Sequence, residues 1–133
     1  MASTTGSDGL VKLTVFLKKR DDISHEEFHK YWDNEHAKIF LSVPIVKKNV
    51  VKYTQFHANN GATADITNFG LAMVGYDGVA NIWGKSLDDL LAIYNDEEFL
   101  RVSAPDGDKF FVQKEIAVMY GWEEDKWDKQ KDS

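Results

Sequence analysis

The chain has 133 residues, enough for one domain around one core, and 43% of them are hydrophobic. A net charge of −6 argues against a nucleic-acid partner, and the absence of cysteine removes disulfides, thiolate nucleophiles and Cys-ligated metals. No run of about 18 apolar residues is present, so no membrane span is expected.

The first nine residues, MASTTGSDG, lack the apolar stretch of a secretory signal and read as a flexible polar arm, compatible with a cytoplasmic location. LVKLTVFLKK (10–19) alternates, with Leu13, Val15 and Leu17 on one side and Lys12, Thr14, Phe16 and Lys18 on the other, which is a strand. A helix start follows. Ser24 and Glu27 form a capping box, and Ile23 and Phe28 are placed for a hydrophobic staple. The helix is predicted to run to about Leu41 and to stop before Pro44. Residues 50–58 alternate as a second strand, 59–68 read as a polar loop, and 69–78 are ambiguous between strand and covering loop. Residues 79–86 read as a third strand, Ser86 and Asp89 cap a second helix, and Pro105-Asp106-Gly107 reads as a turn or helix break. Residues 114–122 form a last strand before a charged tail, 123–133, so the folded domain spans 10–122.

Two βαβ units predict a ferredoxin-like α+β sandwich, βαββαβ, whose helices cover one face of a four-stranded sheet. The strands carry apolar residues on both sides, which predicts a homodimer with two sheets packed face to face.

The first helix carries the chemistry. On a regular wheel with Phe28 at the origin, Trp32, Glu35 and Ile39 face inward, and His25, His36 and His29 fall at about 60°, 80° and 100° on one flank. His36 is either a half-buried histidine satisfied by a backbone group or carboxylate, or a general acid–base, since imidazole titrates near neutrality. His25 sits in the solvated first turn, and His29 is intermediate. Glu35 is either a pocket carboxylate or a partner for a strand lysine such as Lys19. Tyr53, Gln55 and His57 alternate along the second strand and can form a polar ladder on one pocket wall. Asp77 lies in a Tyr-Asp-Gly turn that turn chemistry alone explains, and Trp83 reads first as a packing residue. No trusted metal spacing, dinucleotide fingerprint, Walker loop or nucleophile elbow occurs, so no metal or cofactor is expected.

Several blocks together are similar to the EthD-domain family. They are the Lys18-Lys19-Arg20 strand end, Ile-Ser-x-Glu-Glu-Phe-x-x-Tyr-Trp-x-x-x-His-Ala, Lys-Tyr-x-Gln-x-His and Tyr-Asp-Gly-Val-Ala-x-Ile-Trp, within residues 10–122. The resemblance implies a dimeric α+β barrel and a small cofactor-free tailoring enzyme, a decarboxylase or dehydratase acting on an aromatic polyketide carboxylic acid. Related barrels include cyclases, cofactor-free monooxygenases and haem-binding proteins. The family motif falls on Tyr31, Trp32, His36, Tyr53 and His57, and more loosely on Lys19 and Asp77. In a lyase of this kind His36 would deliver the proton, and His57 or Lys19 would polarise the carbonyl. Trp32, Tyr53 and Trp83 would clamp a flat substrate, with His29 beside them. That reading requires the imidazoles of His36 and His57 to converge on one dry hollow.

Overall fold

The computed structural model describes residues 4–132; Met1–Ser3 of the expected arm and the final Ser133 of the tail lie outside the described residues. Four strands, β1 (Val11–Leu17), β2 (Lys52–His57), β3 (Gly78–Gly84) and β4 (Ala117–Gly121), form one antiparallel sheet in the order β2-β3-β1-β4. This is the ferredoxin-like α+β fold expected from the two βαβ units.

Alternation sets the two faces. Val11, Leu13, Val15 and Leu17 turn inward, opposite Gly84, Ile82, Ala80 and Gly78 of β3, and are buried beneath the helices. The outer face bears Phe16, Phe56, Val79 and Met119 around a polar rung, in which Thr14 donates to Asn81 and Asn81 donates to Thr54. Phe56 is 67% exposed and Met119 65%, an uncovered apolar face of the kind that marks an interface.

The predicted capping box is present. The Ser24 hydroxyl accepts from Glu27 N at 3.0 Å, and the Glu27 carboxylate accepts from Ser24 N at 3.3 Å. Such a cap contributes about 1 kcal/mol and fixes where α1 (His25–Tyr31) begins. The helix is not regular beyond that point. A π-turn occupies Trp32–His36, in which the Trp32 carbonyl accepts from Ala37 N, before α2 (Ala37–Ser42) resumes. The extra residue turns the following side chains back by roughly one residue step, about 100°. Glu35 therefore points to solvent rather than inward, and His36 and Phe40 swing toward the sheet. The chain stops at Val43, which is extended before Pro44, and then forms α3 (Pro44–Asn49), a helix with proline in its first turn.

Residues 59–68 are not a loop. A 3-10 turn (Asn60–Ala62) leads into α4 (Thr63–Phe69), which ends at Gly70 with φ +107°, a left-handed cap that glycine adopts without strain. The ambiguous stretch after it is covering loop up to Asp77.

The second crossover holds α5 (Leu87–Tyr94), capped by Ser86 as expected, then a second π-turn (Phe99–Ser103) and α6 (Ala104–Gly107). Pro105-Asp106-Gly107 thus lies within a helical turn. At the N-terminus, residues 6–10 form a turn. Gly6 N bonds Leu10 O at 2.9 Å, and Gly6 packs on the Glu123 carbonyl so closely that a Cβ would not fit. The tail contains one short helical turn, α7 (Lys129–Asp132).

Candidate active site

A cavity of about 270 Å³ lies between the inner sheet face and the helices. Val15 and Leu17 form its floor, and Trp32, Phe40, Phe99 and Phe111 supply its walls. Both π-turns open onto it, the first through Trp32 and His36, the second through Phe99, Leu100 and Ser103. Inserted π-turns recur at functional sites because they re-aim side chains without breaking the helix. The polar groups facing this space are His36, Tyr53, Tyr94, Ser103 and Gln113; no lysine or arginine among the described residues lines it.

His36 is held by Asp106. Its Nδ1 lies 2.8 Å from Asp106 Oδ2, with the imidazole side chain 12% and the carboxylate 4% exposed. Tyr31 donates its hydroxyl to the other carboxylate oxygen at 2.5 Å, and Lys109 lies 3.3 Å from that same oxygen. Burial pushes the Asp106 carboxyl up, but hydrogen bonds from Tyr31, His36 and Lys109 outweigh it and hold the group below the ordinary range. An ionised Asp106 fixes the His36 tautomer with the proton on Nδ1. Nε2 has no hydrogen-bond partner among the described residues, yet no fully buried side-chain nitrogen or oxygen there is unsatisfied, so Nε2 opens to the cavity. Burial lowers the His36 pKa more than Asp106 raises it, leaving a neutral imidazole with a free lone pair at pH 7.

Tyr53 stands across the cavity on β2. Its oxygen accepts from Gln55 Nε2 at 2.8 Å, while burial raises its pKa. It is therefore a neutral phenol whose own proton is free to point at a ligand.

The structure brings together Trp32, His36 and Tyr53, with Tyr31 one layer behind through Asp106. It does not bring His36 and His57 together. His57 packs on the far side of Trp32, ring centroids 4.6 Å apart, and belongs to a separate shallow pocket with His25 and His29. Its Nδ1 is 2.7 Å from His29 Nδ1. Burial lowers both pKa values, and each imidazolium would oppose its neighbour.

Lys19 is also outside the cavity. Its ammonium donates to Arg20 O at 2.9 Å and Ile23 O at 2.7 Å, tying the turn before α1. Lys18 and Arg20 likewise clamp backbone, at Gly75 O and Asp108 O. Asp77 is structural: one carboxylate oxygen accepts from Lys19 N at 2.7 Å, the other from Asn60 Nδ2 at 2.7 Å. Trp83 lies on the outer sheet face between the ammonium groups of Lys12 and Lys52, 4.8 and 5.0 Å from its ring, and does not reach the cavity.

Asp106 is the residue that sequence reasoning missed. Pro-Asp-Gly carries a strong turn signal, and the partners that give Asp106 its role stand 70 and 75 residues away. Among the described residues no group of three side chains is arranged to hold a metal ion, and no helix is long and apolar enough to cross a membrane.

A family model described as the EthD domain matches residues 20–114. The chain is 27% identical over 114 residues to Dehydratase CTB10 of Cercospora beticola, covering 80% of this chain and 83% of that one. In fold it is similar to an ethyl tert-butyl ether d (ethd) family protein of Bacillus halodurans, with TM-score 0.58, 17% identity, and coverage of 86% of this chain and 98% of that one. It is also similar to a dimeric protein of unknown function and ferredoxin-like fold from Bacteroides fragilis, with TM-score 0.57, 18% identity, and coverage of 84% and 94%.

Proposed function

Because this chain belongs to the EthD domain family, we propose that it is a cofactor-free lyase, a dehydratase that removes water from a β-hydroxy ketone on a flat aromatic polyketide. One observation carries the reading: a neutral imidazole, oriented by a buried carboxylate, presents Nε2 to an apolar hollow. The relative named a dehydratase supports the reaction type.

In the proposed cycle His36 Nε2 removes the proton α to the ketone. The developing enolate oxygen takes a hydrogen bond from the Tyr53 hydroxyl, a preorganised donor in a low-dielectric site. The enolate then expels the β-hydroxyl as the imidazolium returns the proton to it, so water leaves and His36 is regenerated. Asp106 stabilises the imidazolium in between. The sequence is redox-neutral and moves one proton out and back, so it calls for no cofactor. Trp32, Phe40 and Phe111 offer ring faces to a planar substrate.

Decarboxylation of a polyketide acid would use the same imidazole as proton donor. It would also bring a carboxylate into a lining without lysine or arginine, at the desolvation cost of an unpaired charge. The lining therefore favours loss of water. We further infer a homodimer through the outer sheet face, where Phe56 and Met119 lie exposed beside the half-buried Phe16 and Val79, in keeping with a structural neighbour described as dimeric.

The test is to incubate the protein with a β-hydroxytetralone, which becomes a naphthol on loss of water, and with an ortho-hydroxynaphthoic acid, which reaches a naphthol on loss of CO2. Mass spectrometry should find turnover of the first. Turnover of the acid alone would replace dehydration by decarboxylation, and oxygen uptake during either reaction would replace both by oxygenation.

A further inference from the structure

β2 is an edge strand whose inward positions are Tyr53, Gln55 and His57, and three hydrogen bonds join them to His29 in one line. The direction of that line is set by the Trp32 carbonyl. A carbonyl only accepts, so the group of Gln55 that lies 3.0 Å from it must be the amide nitrogen. The π-turn makes this contact possible, since Trp32 O takes its helical bond from Ala37 N, one residue later than in an α-helix. The same Gln55 nitrogen donates to Tyr53 O, and Gln55 Oε1 is left to accept from His57 Nε2 at 2.9 Å. A neutral His57 protonated on Nε2 has its lone pair on Nδ1, so His29 Nδ1 is the donor across their 2.7 Å contact. Every donor in the line points toward the cavity, and the last is the Tyr53 hydroxyl.

We propose that His57 is a positioning residue, which together with the Trp32 carbonyl holds Gln55 in the one orientation that makes Tyr53 a hydrogen-bond donor to whatever oxygen occupies the cavity. It does not touch the ligand, because Trp32 stands between. Without the His57 donor only the Trp32 carbonyl holds the Gln55 amide, and in whatever fraction turns over the amide oxygen accepts the Tyr53 proton that the ligand needs. Chains of hydrogen bonds polarise one another, so the full line strengthens its last member. This role rests on the proposed acid–base chemistry for its effect on turnover, but not for its effect on binding.

The probe is para-nitrophenolate, whose oxygen imitates an enolate and whose colour reports its ionisation. Tyr53→Phe should weaken its binding about tenfold, and His57→Phe about fivefold, the scale of one hydrogen bond to a charged oxygen. His57→Gln keeps a donor near the Nε2 position but cannot titrate, and should recover most of the loss. In the Tyr53→Phe background, His57→Phe should cost nothing further, because the two act through one atom. The bound probe should ionise more readily in the wild type than in either Phe variant, a shift that a purely structural role would not produce. The proposal is overturned if His57→Gln binds as poorly as His57→Phe, if the two Phe substitutions add, or if the wild type binds the probe no better than Tyr53→Phe. The His57→Gln arm and a thermal melt separate these outcomes from misfolding of His57→Phe. If β-hydroxytetralone is not turned over while this binding pattern holds, the dehydratase reading fails and the His57 role stands. Turnover without the pattern removes only the role of His57.

Discussion

His36 and the His29–His57 pair lie on opposite sides of the Trp32 ring, and both are imidazoles lowered in pKa by burial. They differ in their partners. His36 has a carboxylate on one nitrogen and an apolar hollow on the other. His57 has both nitrogens occupied, by His29 and by Gln55, so it has no lone pair or proton to offer a ligand. Burial alone therefore does not make a histidine an acid–base group. An anionic orienter and one unoccupied nitrogen are needed as well, and of these three imidazoles His36 alone has both.

The largest expected effect comes from removing the free imidazole. His36→Ala should lower kcat about 100-fold or more in steady-state assays of the dehydration. Next is Asp106→Asn, which leaves Tyr31 and His36 competing for a neutral group with one acceptor oxygen. It should cost about tenfold to 100-fold in kcat and about 1–3 kcal/mol in denaturant-measured stability. It also tests the charge. His36 sits below 6.5 because burial outweighs the Asp106 interaction. In the wild type the rate should therefore be full above that value and fall as pH drops through the lowered pKa. Removing the Asp106 charge should move this acid limb to still lower pH. Stability follows the same sign, since the unfolded chain takes up the histidine proton first, so it is fully present above 6.5 and declines as pH falls.

A smaller effect should separate the two regions through the wall they share. A Cβ on Gly78 would overlap the six-membered ring of Trp32. Gly78→Ala should therefore cost about 1–3 kcal/mol in a denaturation midpoint, and disturb cavity and rim together. The smallest effect is expected at Trp83. Because it lies on the outer face, Trp83→Phe should leave kcat within about twofold of wild type, while sedimentation reads any loss of dimer; a large fall in kcat would place the active region elsewhere.

Much of the fold was legible locally. The alternation of Leu13, Val15 and Leu17, the Ser24–Glu27 box and the Ser86 cap are short-range signals, and each appears where it was read. The polar stretch 59–68 carries no helical signal in sequence because its helix has no buried face to leave a hydrophobic period. In the candidate site, Trp32, His36 and Tyr53 were legible as residues, and Tyr53–Gln55–His57 as a ladder. Lys19, Asp77 and Trp83 were not separable from site residues, because a motif records that a position matters and not which contact it makes.

By itself the sequence determined the four strands, the two capped helix starts, the two faces of the sheet and the residues able to do acid–base work, since periodicity, capping and side-chain chemistry are local properties. Tertiary structure alone decided that the first helix carries an extra residue in one turn, which swings His36 over the cavity and Glu35 away from it. It also decided that Asp106, from the far end of the second crossover, meets that imidazole, and that His57 stands behind Trp32 rather than beside His36. Those outcomes depend on contacts between residues distant in sequence, where packing and desolvation override local preference.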